Sequence, residues 1–217
     1  MAVKASKAQI DHWNRDMAKE IAVYEQDIQA PGQIVFYGPS NFTRWGKTFG
    51  MIPLRDVLLG ASGAPCVVNR GFGSSCPEHQ LQYYPRIIRP LAPKVLVYAS
   101  YGNFGVYGYS IEEGWELAQQ VIDLARNDFP DMRLYLCGGS PHRDYTQEAL
   151  DECEQYEAYL RQYAAEHDNV FFLDCMRFAP LQDPAVFIED GVHFNQTGYN
   201  LYGDYFREVL KEELEQY

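Results

Sequence analysis

Five short apolar runs occur along the chain, each about as long as a buried β-strand. They are rich in Val, Ile, Leu, Phe and Tyr, and their hydrophobicity is nearly continuous, as in strands that are covered on both faces of a parallel sheet. The runs cover residues 33–37, 66–69, 94–99, 132–137 and 169–173. The pattern therefore predicts five parallel strands.

Segments with helical periodicity flank these runs. Apolar residues recur every three or four positions over residues 7–27, 111–127 and 147–167, and a terminal helix is expected over residues 197–215. Alternating strands and helices favour an α/β fold, a three-layer α/β/α sandwich with right-handed crossovers. We expect its five-stranded parallel sheet to be flavodoxin-like, with strand order 2-1-3-4-5.

Length and composition indicate one globular domain. The 217 residues contain no linker, low-complexity tract or internal repeat, so we expect a single domain over residues 1–217, with a helix within residues 1–30 packed on it. Hydrophobic residues make up 47% of the chain and aromatic residues 15%, which provides for a packed core and an aromatic-lined cleft.

Charge and cysteine usage narrow the classes of partner. The formal net charge is −12 and no Lys/Arg cluster offsets it, so neither nucleic acid nor a membrane surface is expected as a partner. No segment resembles a signal peptide or a membrane span, so we expect a cytoplasmic location.

The five cysteines are an odd number without CxxC spacing, and no metal site, disulfide or cofactor is expected. The oligomeric state is left open.

A possible catalytic triad combines residues from distant parts of the chain. Asp190 lies three residues before His193, and Ser40 follows the first apolar run after a Gly-Pro turn. A neutral imidazole can take a proton from a serine hydroxyl when a carboxylate orients the ring and stabilises the imidazolium. In a doubly wound sheet the carboxyl ends of the strands meet at one rim, where ligands bind. We therefore expect the three side chains to meet there.

Ser140 is a second candidate nucleophile. It also follows a predicted strand and has a histidine, His142, two residues away. Pro141 and the preceding glycines indicate a turn, and His142 lacks a carboxylate at the spacing that His193 has. Neither serine lies in a Gly-x-Ser-x-Gly motif, so the nucleophile-elbow α/β-hydrolase arrangement is disfavoured.

Four motifs in sequence order resemble those of the SGNH hydrolases, also called the GDSL esterase/lipase family, and the likeness extends over about residues 10–205. The motifs are Gly38-Pro39-Ser40, the glycine-containing segment 69–75, Gly102-Asn103, and Asp190 to His193. The resemblance implies that Ser40 is the nucleophile, that His193 acts as general base and then acid, and that Asp190 orients His193. It also implies an oxyanion hole formed by the Ser40 N–H, a backbone N–H of Gly73 or Ser74, and the Asn103 amide.

The chain departs from the family pattern at three positions. Pro39 replaces the commonest residue, aspartate; Ser74 replaces a glycine, which is costly only if its φ is positive; and one extra residue precedes Asn103. We further expect four residues near these motifs to contact substrate: Asn41, Tyr101, Phe104 and Val192.

The resemblance implies a serine esterase that hydrolyses a small acyl ester, foremost an acetyl ester, of a sugar or another small alcohol through an acyl-enzyme. A short-chain thioesterase or lysophospholipase would use the same triad with a longer pocket. A weakly active binding or scaffold protein on the same fold is the alternative from another class, motivated by Pro39, Ser74 and the shifted third motif.

Overall fold

The computed structural model describes the backbone of residues 7–217 and the side chains of residues 17–217. Its centre is one parallel sheet of five strands in the order β2-β1-β3-β4-β5, which confirms the predicted topology. The strands are β1 (Ile34–Gly38), β2 (Val67–Gly71), β3 (Val95–Ala99), β4 (Arg133–Cys137) and β5 (Val170–Leu173).

Eight α-helices surround the sheet within the described residues. They are α1 (Lys7–Gln26), α2 (Ser40–Thr43), α3 (Leu54–Val57), α4 (Pro77–Ile87), α5 (Ile111–Asp128), α6 (Gln147–Glu166), α7 (Gln196–Val209) and α8 (Lys211–Leu214). The predicted terminal helix is interrupted at Leu210, which separates α7 from α8. Helix α4 was not predicted, because its buried face includes the polar side chains of Glu78, His79 and Gln80 and hides the apolar period.

The sheet separates two hydrophobic cores. Consecutive side chains of β1 point to opposite faces, so Val35 and Tyr37 belong to one core while Ile34 and Phe36 belong to the other. The first core contains side chains of α1, α4, α5 and α6, and the second contains those of α2, α3, α7 and α8. This arrangement is the expected three-layer sandwich.

The strand register brings the carboxyl ends of the strands to one rim. Gly38 of β1 pairs with Gly71 of β2, and Cys137 of β4 pairs with both Ala99 of β3 and Leu173 of β5. Loops that leave these five residues therefore start side by side.

Helix α1 packs against α4 and is tied to the end of β2. The Arg70 guanidinium is buried and forms an ion pair with Asp27 just beyond α1, with 2.8 Å between Nη1 and Oδ2. The Tyr24 hydroxyl donates a hydrogen bond to the Gly71 carbonyl. No helix within residues 7–217 has both the length and the hydrophobicity needed to cross a membrane. The five cysteines are buried, unpaired thiols.

Candidate active site

Ser40 is held at the rim by the tight turn that ends β1. The strand stops at Gly38, Pro39 precedes the helix in an extended conformation, and Ser40 is the first residue of α2. A Cβ on Gly38 would lie 2.8 Å from the Ala99 Cβ, so only glycine allows β1 and β3 to approach here. Pro39 costs the turn no hydrogen bond, because the first N–H groups of a helix have no intrahelical partner. The unusual residue of the first motif is therefore compatible with its position.

Ser40, His193 and Asp190 form an unbroken hydrogen-bonded chain. The Ser40 Oγ lies 2.8 Å from the His193 Nε2, and the His193 Nδ1 lies 2.7 Å from the Asp190 Oδ2. The other carboxylate oxygen of Asp190 accepts the N–H groups of Val192 and His193, each at 2.9 Å. The structure thus brings together three residues that are up to 153 positions apart in the chain.

The electrostatic environment keeps the imidazole neutral and the carboxylate charged. Burial lowers the pKa of His193 below its ordinary value, the hydrogen bond to Asp190 opposes this shift, and the Arg44 guanidinium reinforces it. Burial acts to raise the pKa of Asp190, but the hydrogen bonds from the His193 N–H, the His193 ring and the Val192 N–H outweigh it and lower the pKa to about 2. At neutral pH His193 is therefore uncharged, and its Nε2 lies within hydrogen-bond distance of the Ser40 hydroxyl.

The Asp190–His193 turn is braced by the loop after β4, a contact that the sequence did not reveal. The Arg143 N–H donates to the Gly191 carbonyl at 2.7 Å, and its guanidinium donates to the Glu189 carbonyl at 3.1 Å. Gly191 has a φ of +68°, and a Cβ there would lie 2.7 Å from the Asp144 carboxylate. The left-handed φ of the turn therefore favours glycine at this position.

Two candidate oxyanion donors come from opposite sides of Ser40. Asn103 lies in a left-handed conformation, with φ of +61°, directly after Gly102 with φ of +127°, and this turn accommodates the extra residue of the third motif. The Asn103 Nδ2 donates to the Ser75 carbonyl at 3.0 Å, which leaves its second N–H for another acceptor. Gly73 and Ser74 lie in the loop on the other side, and the Gly73 N–H already donates to a Glu20 carboxylate oxygen at 2.9 Å.

Ser74 has the positive φ that makes its replacement of glycine costly. Its φ is +57°, in the left-handed region, where an L-residue costs about 1–2 kcal/mol of conformational energy. The Ser74 carbonyl accepts the Tyr107 hydroxyl at 2.8 Å, so the surrounding structure holds the residue there. Backbone strain of this kind is common at functional sites.

We predict that Ser74→Gly stabilises the protein by roughly 0.5 kcal/mol, because relief of the left-handed strain exceeds the extra unfolded-state entropy of glycine. Urea unfolding measures the change, and Ser74→Ala is the matched control because it keeps the Cβ and removes only the hydroxyl. Equal stability of the two variants would contradict strain as the cause. The esterase activity that the resemblance implies is expected to stay near wild type in Ser74→Gly, since the candidate oxyanion donor at this position is a backbone N–H.

Two cavities meet at Ser40. The larger, of about 250 Å³, is bordered by His193, Arg44, Phe49 and Glu20, among others. The smaller, of about 90 Å³, is bordered by Tyr101, Ser140, His142 and Tyr145, with Asn41 next to Ser40. Ser40, Asn103 and Val192 border both. Three of the residues that we expect to contact substrate, Asn41, Tyr101 and Val192, thus lie at the cavity walls.

Phe104, which we predicted to contact substrate, lies in the core instead of at a cavity wall. Its ring is only 7% exposed and stacks on Tyr156, with 5.2 Å between ring centroids. The left-handed backbone of Asn103 turns the next side chain into the core, where it also packs against Gly114. Phe104 thus supports the loop that carries Asn103 and borders neither cavity.

Ser140 and His142 both border the small cavity, but no hydrogen bond joins their side chains. Within the described side chains its hydroxyl has no hydrogen-bond partner, and the nearby His142 ring stacks on Tyr145 at 4.2 Å between centroids. Burial, with a smaller contribution from the neighbouring His193, lowers the pKa of His142 to about 4, so this imidazole is neutral at physiological pH. The arrangement favours Ser40 over Ser140 as nucleophile.

The fold of this chain is similar to that of solved structures described as acylhydrolases and GDSL-like lipases, which confirms the resemblance to the SGNH hydrolases at the level of fold. A protein described as an acylhydrolase from Bacteroides fragilis has a TM-score of 0.72 and 18% identity, covering 91% of this chain and 97% of that one. A GDSL-like lipase from Bacteroides thetaiotaomicron has a TM-score of 0.68 and 15% identity, covering 90% of this chain and 97% of that one. An acetylxylan esterase from Geobacillus stearothermophilus has a TM-score of 0.66 and 14% identity, covering 86% of this chain and 98% of that one. No family model and no curated protein matches the chain.

Proposed function

We propose that this protein is a serine esterase that cleaves a small acyl ester of a polar alcohol through an acyl-enzyme. The observation that carries the proposal is the hydrogen-bonded chain from Asp190 through His193 to Ser40. Ser40 attacks the ester carbonyl as His193 takes its proton, and the tetrahedral intermediate collapses when His193 protonates the departing alkoxide. A water that His193 deprotonates then releases the acid and frees Ser40.

The position of His193 indicates which cavity binds the alcohol part of the ester and which binds the acyl part. The group that protonates the alkoxide must face it, and His193 borders the 250 Å³ cavity but not the 90 Å³ cavity. The alcohol therefore binds beside Arg44, Phe49 and Glu20, whose charged and aromatic groups suit a hydroxyl-rich ring such as a sugar. The acyl group takes the small cavity.

A burst of p-nitrophenol from p-nitrophenyl acetate tests the proposal. The acyl-enzyme mechanism predicts a burst that matches the concentration of active sites, followed by a slower steady state. A folded wild type without a burst or turnover would instead support the scaffold alternative.

We predict a strong preference for short acyl chains. The 90 Å³ cavity is far smaller than the roughly 300–1,000 Å³ of pockets that hold drug-sized ligands, so kcat/KM should fall at least about tenfold from acetate to octanoate. Tyr145→Ala opens the cavity wall and should reduce this difference. The matched control is Tyr159→Ala, which removes a half-buried tyrosine stacked on Trp115 away from the site. Higher activity on octanoate in wild type would favour the lysophospholipase alternative.

The pH dependence of kcat/KM should follow the protonation of His193. Only the neutral imidazole is a base, so activity rises with pH through the pKa of His193, and its lowered value places the midpoint below about 6.5. The Arg44 charge helps to lower that pKa, so Arg44→Gln should move the midpoint to higher pH. A profile measured from about pH 5 to about pH 9 checks both shifts. A midpoint that is unchanged in Arg44→Gln would contradict this electrostatic assignment.

A further inference from the structure

We propose that Glu20 of α1 is a positioning residue of the active site, which holds the Gly73 peptide so that the Ser74 N–H faces the substrate carbonyl. The inference rests on the proposed esterase function and extends it. It assigns a role to the N-terminal helix, which none of the four sequence motifs includes.

The contact itself is a charge-assisted hydrogen bond. The Glu20 Oε2 accepts the Gly73 N–H at 2.9 Å, across 53 positions of sequence. Glu20 is half-buried and borders the same 250 Å³ cavity as Ser40, Ser74 and His193. Its carboxylate thus lies at the wall of the site, next to the loop that supplies an oxyanion donor.

The bond selects between two possible donors. The resemblance left open whether Gly73 or Ser74 supplies the backbone N–H. An N–H engaged by a carboxylate is not available to a developing oxyanion, so Gly73 is excluded. Within the described residues the Ser74 N–H donates no hydrogen bond, and the left-handed backbone at Ser74 follows directly after the peptide that Glu20 holds.

The loop from Gly73 to Ser75 is fixed from three directions. Glu20 holds the Gly73 N–H, Tyr107 donates to the Ser74 carbonyl at 2.8 Å, and Asn103 donates to the Ser75 carbonyl at 3.0 Å. The last contact links two donors of the proposed oxyanion hole, because the Asn103 amide bonds to the residue that follows Ser74. Loss of the Glu20 contact would therefore loosen both the Ser74 N–H and the partner of Asn103.

Glu20 lies on the face of α1 that also contacts the end of β2. Tyr24 lies one helical turn further on, on the same face, and donates to the Gly71 carbonyl. Asp27 pairs with Arg70 beyond the end of the helix. The end of β2 is thus anchored to α1 at three successive points, and of these Glu20 is the one that borders the 250 Å³ cavity at Ser40.

The test compares Glu20→Ala, Glu20→Gln and Glu25→Ala in hydrolysis of p-nitrophenyl acetate. Alanine removes the acceptor, so kcat should fall about tenfold to hundredfold with a much smaller change in KM, because the donor acts mainly in the transition state. Glutamine keeps an oxygen that accepts the Gly73 N–H, so its kcat should lie within about threefold of wild type. Glu25→Ala is the matched control on the same helix, where it removes an exposed pair with Arg86.

The outcomes separate this inference from the proposed function. An active wild type whose kcat is unaltered by Glu20→Ala would overturn the positioning role and leave the esterase intact. Equal loss in Glu20→Ala and Glu20→Gln would also overturn it, because the acceptor would then not be the cause. An inactive wild type would contradict the proposed function and this inference together. Urea unfolding of each variant shows whether a lower kcat merely follows lower stability.

Discussion

His193→Ala is expected to lower kcat for ester hydrolysis by on the order of 10⁶-fold, the loss typical of removing the general base from a complete triad. The ring contacts both side chains, with 2.8 Å to the Ser40 Oγ and 2.7 Å to the Asp190 Oδ2. Without it the Ser40 hydroxyl keeps its proton, and no acid is available for the departing alkoxide. Steady-state hydrolysis of p-nitrophenyl acetate measures the loss.

His142→Ala is the matched control for this experiment. His142 is the other histidine at the rim and borders the small cavity, but it makes no hydrogen bond to Ser40 among the described residues. It should keep turnover within about tenfold of wild type, with the change mainly in KM. A larger loss in His142→Ala than in His193→Ala would mean that the catalytic base has been assigned to the wrong histidine.

Asp190→Asn is expected to lower kcat by about 10⁴-fold while leaving the fold intact. The amide oxygen can still accept the N–H groups of Val192 and His193, so the turn is kept. What is lost is the negative charge that stabilises the imidazolium and the acceptor that selects the tautomer with a free Nε2 lone pair. The pH profile of the residual activity should also lie at lower pH, because Asp190 raises the pKa of His193.

Asp144→Asn provides the comparison for the aspartate. Asp144 is an exposed carboxylate of the neighbouring loop and pairs with Arg143 at 2.9 Å. Its replacement should change kcat by less than about threefold, since exposed ion pairs contribute little. Similar losses in the two variants would show that Asp190 acts through the general charge of the rim rather than through His193.

Much of the fold and the central part of the site follow from local sequence patterns. Five apolar runs alternating with helical segments admit few arrangements of a parallel sheet, and the order 2-1-3-4-5 is one of them. Once that order is fixed, residues that leave the strand ends must meet at one rim. The meeting of Ser40 with Asp190 and His193 could therefore be predicted although they lie far apart in sequence.

The features that could not be predicted depend on backbone conformation or on single long-range contacts. The left-handed turn at Asn103 sends Phe104 into the core, and sequence alone does not distinguish this from an aromatic cavity wall. Helix α4 buries polar side chains whose partners lie in other elements: the Gln80 amide oxygen, for example, accepts the hydroxyl of Tyr98 in β3 at 2.8 Å. The bond from Glu20 to Gly73 depends on how α1 packs, which no local pattern encodes.

The most direct test of the account is intact-mass analysis after labelling with a fluorophosphonate, which reacts with an activated serine. Wild type, Ser40→Ala and the matched variant Ser140→Ala would be labelled under the same conditions, with folding checked by circular dichroism. The account predicts one adduct on wild type and on Ser140→Ala, and none on Ser40→Ala. An adduct that persists in Ser40→Ala, or a well-folded wild type that forms none, would contradict it.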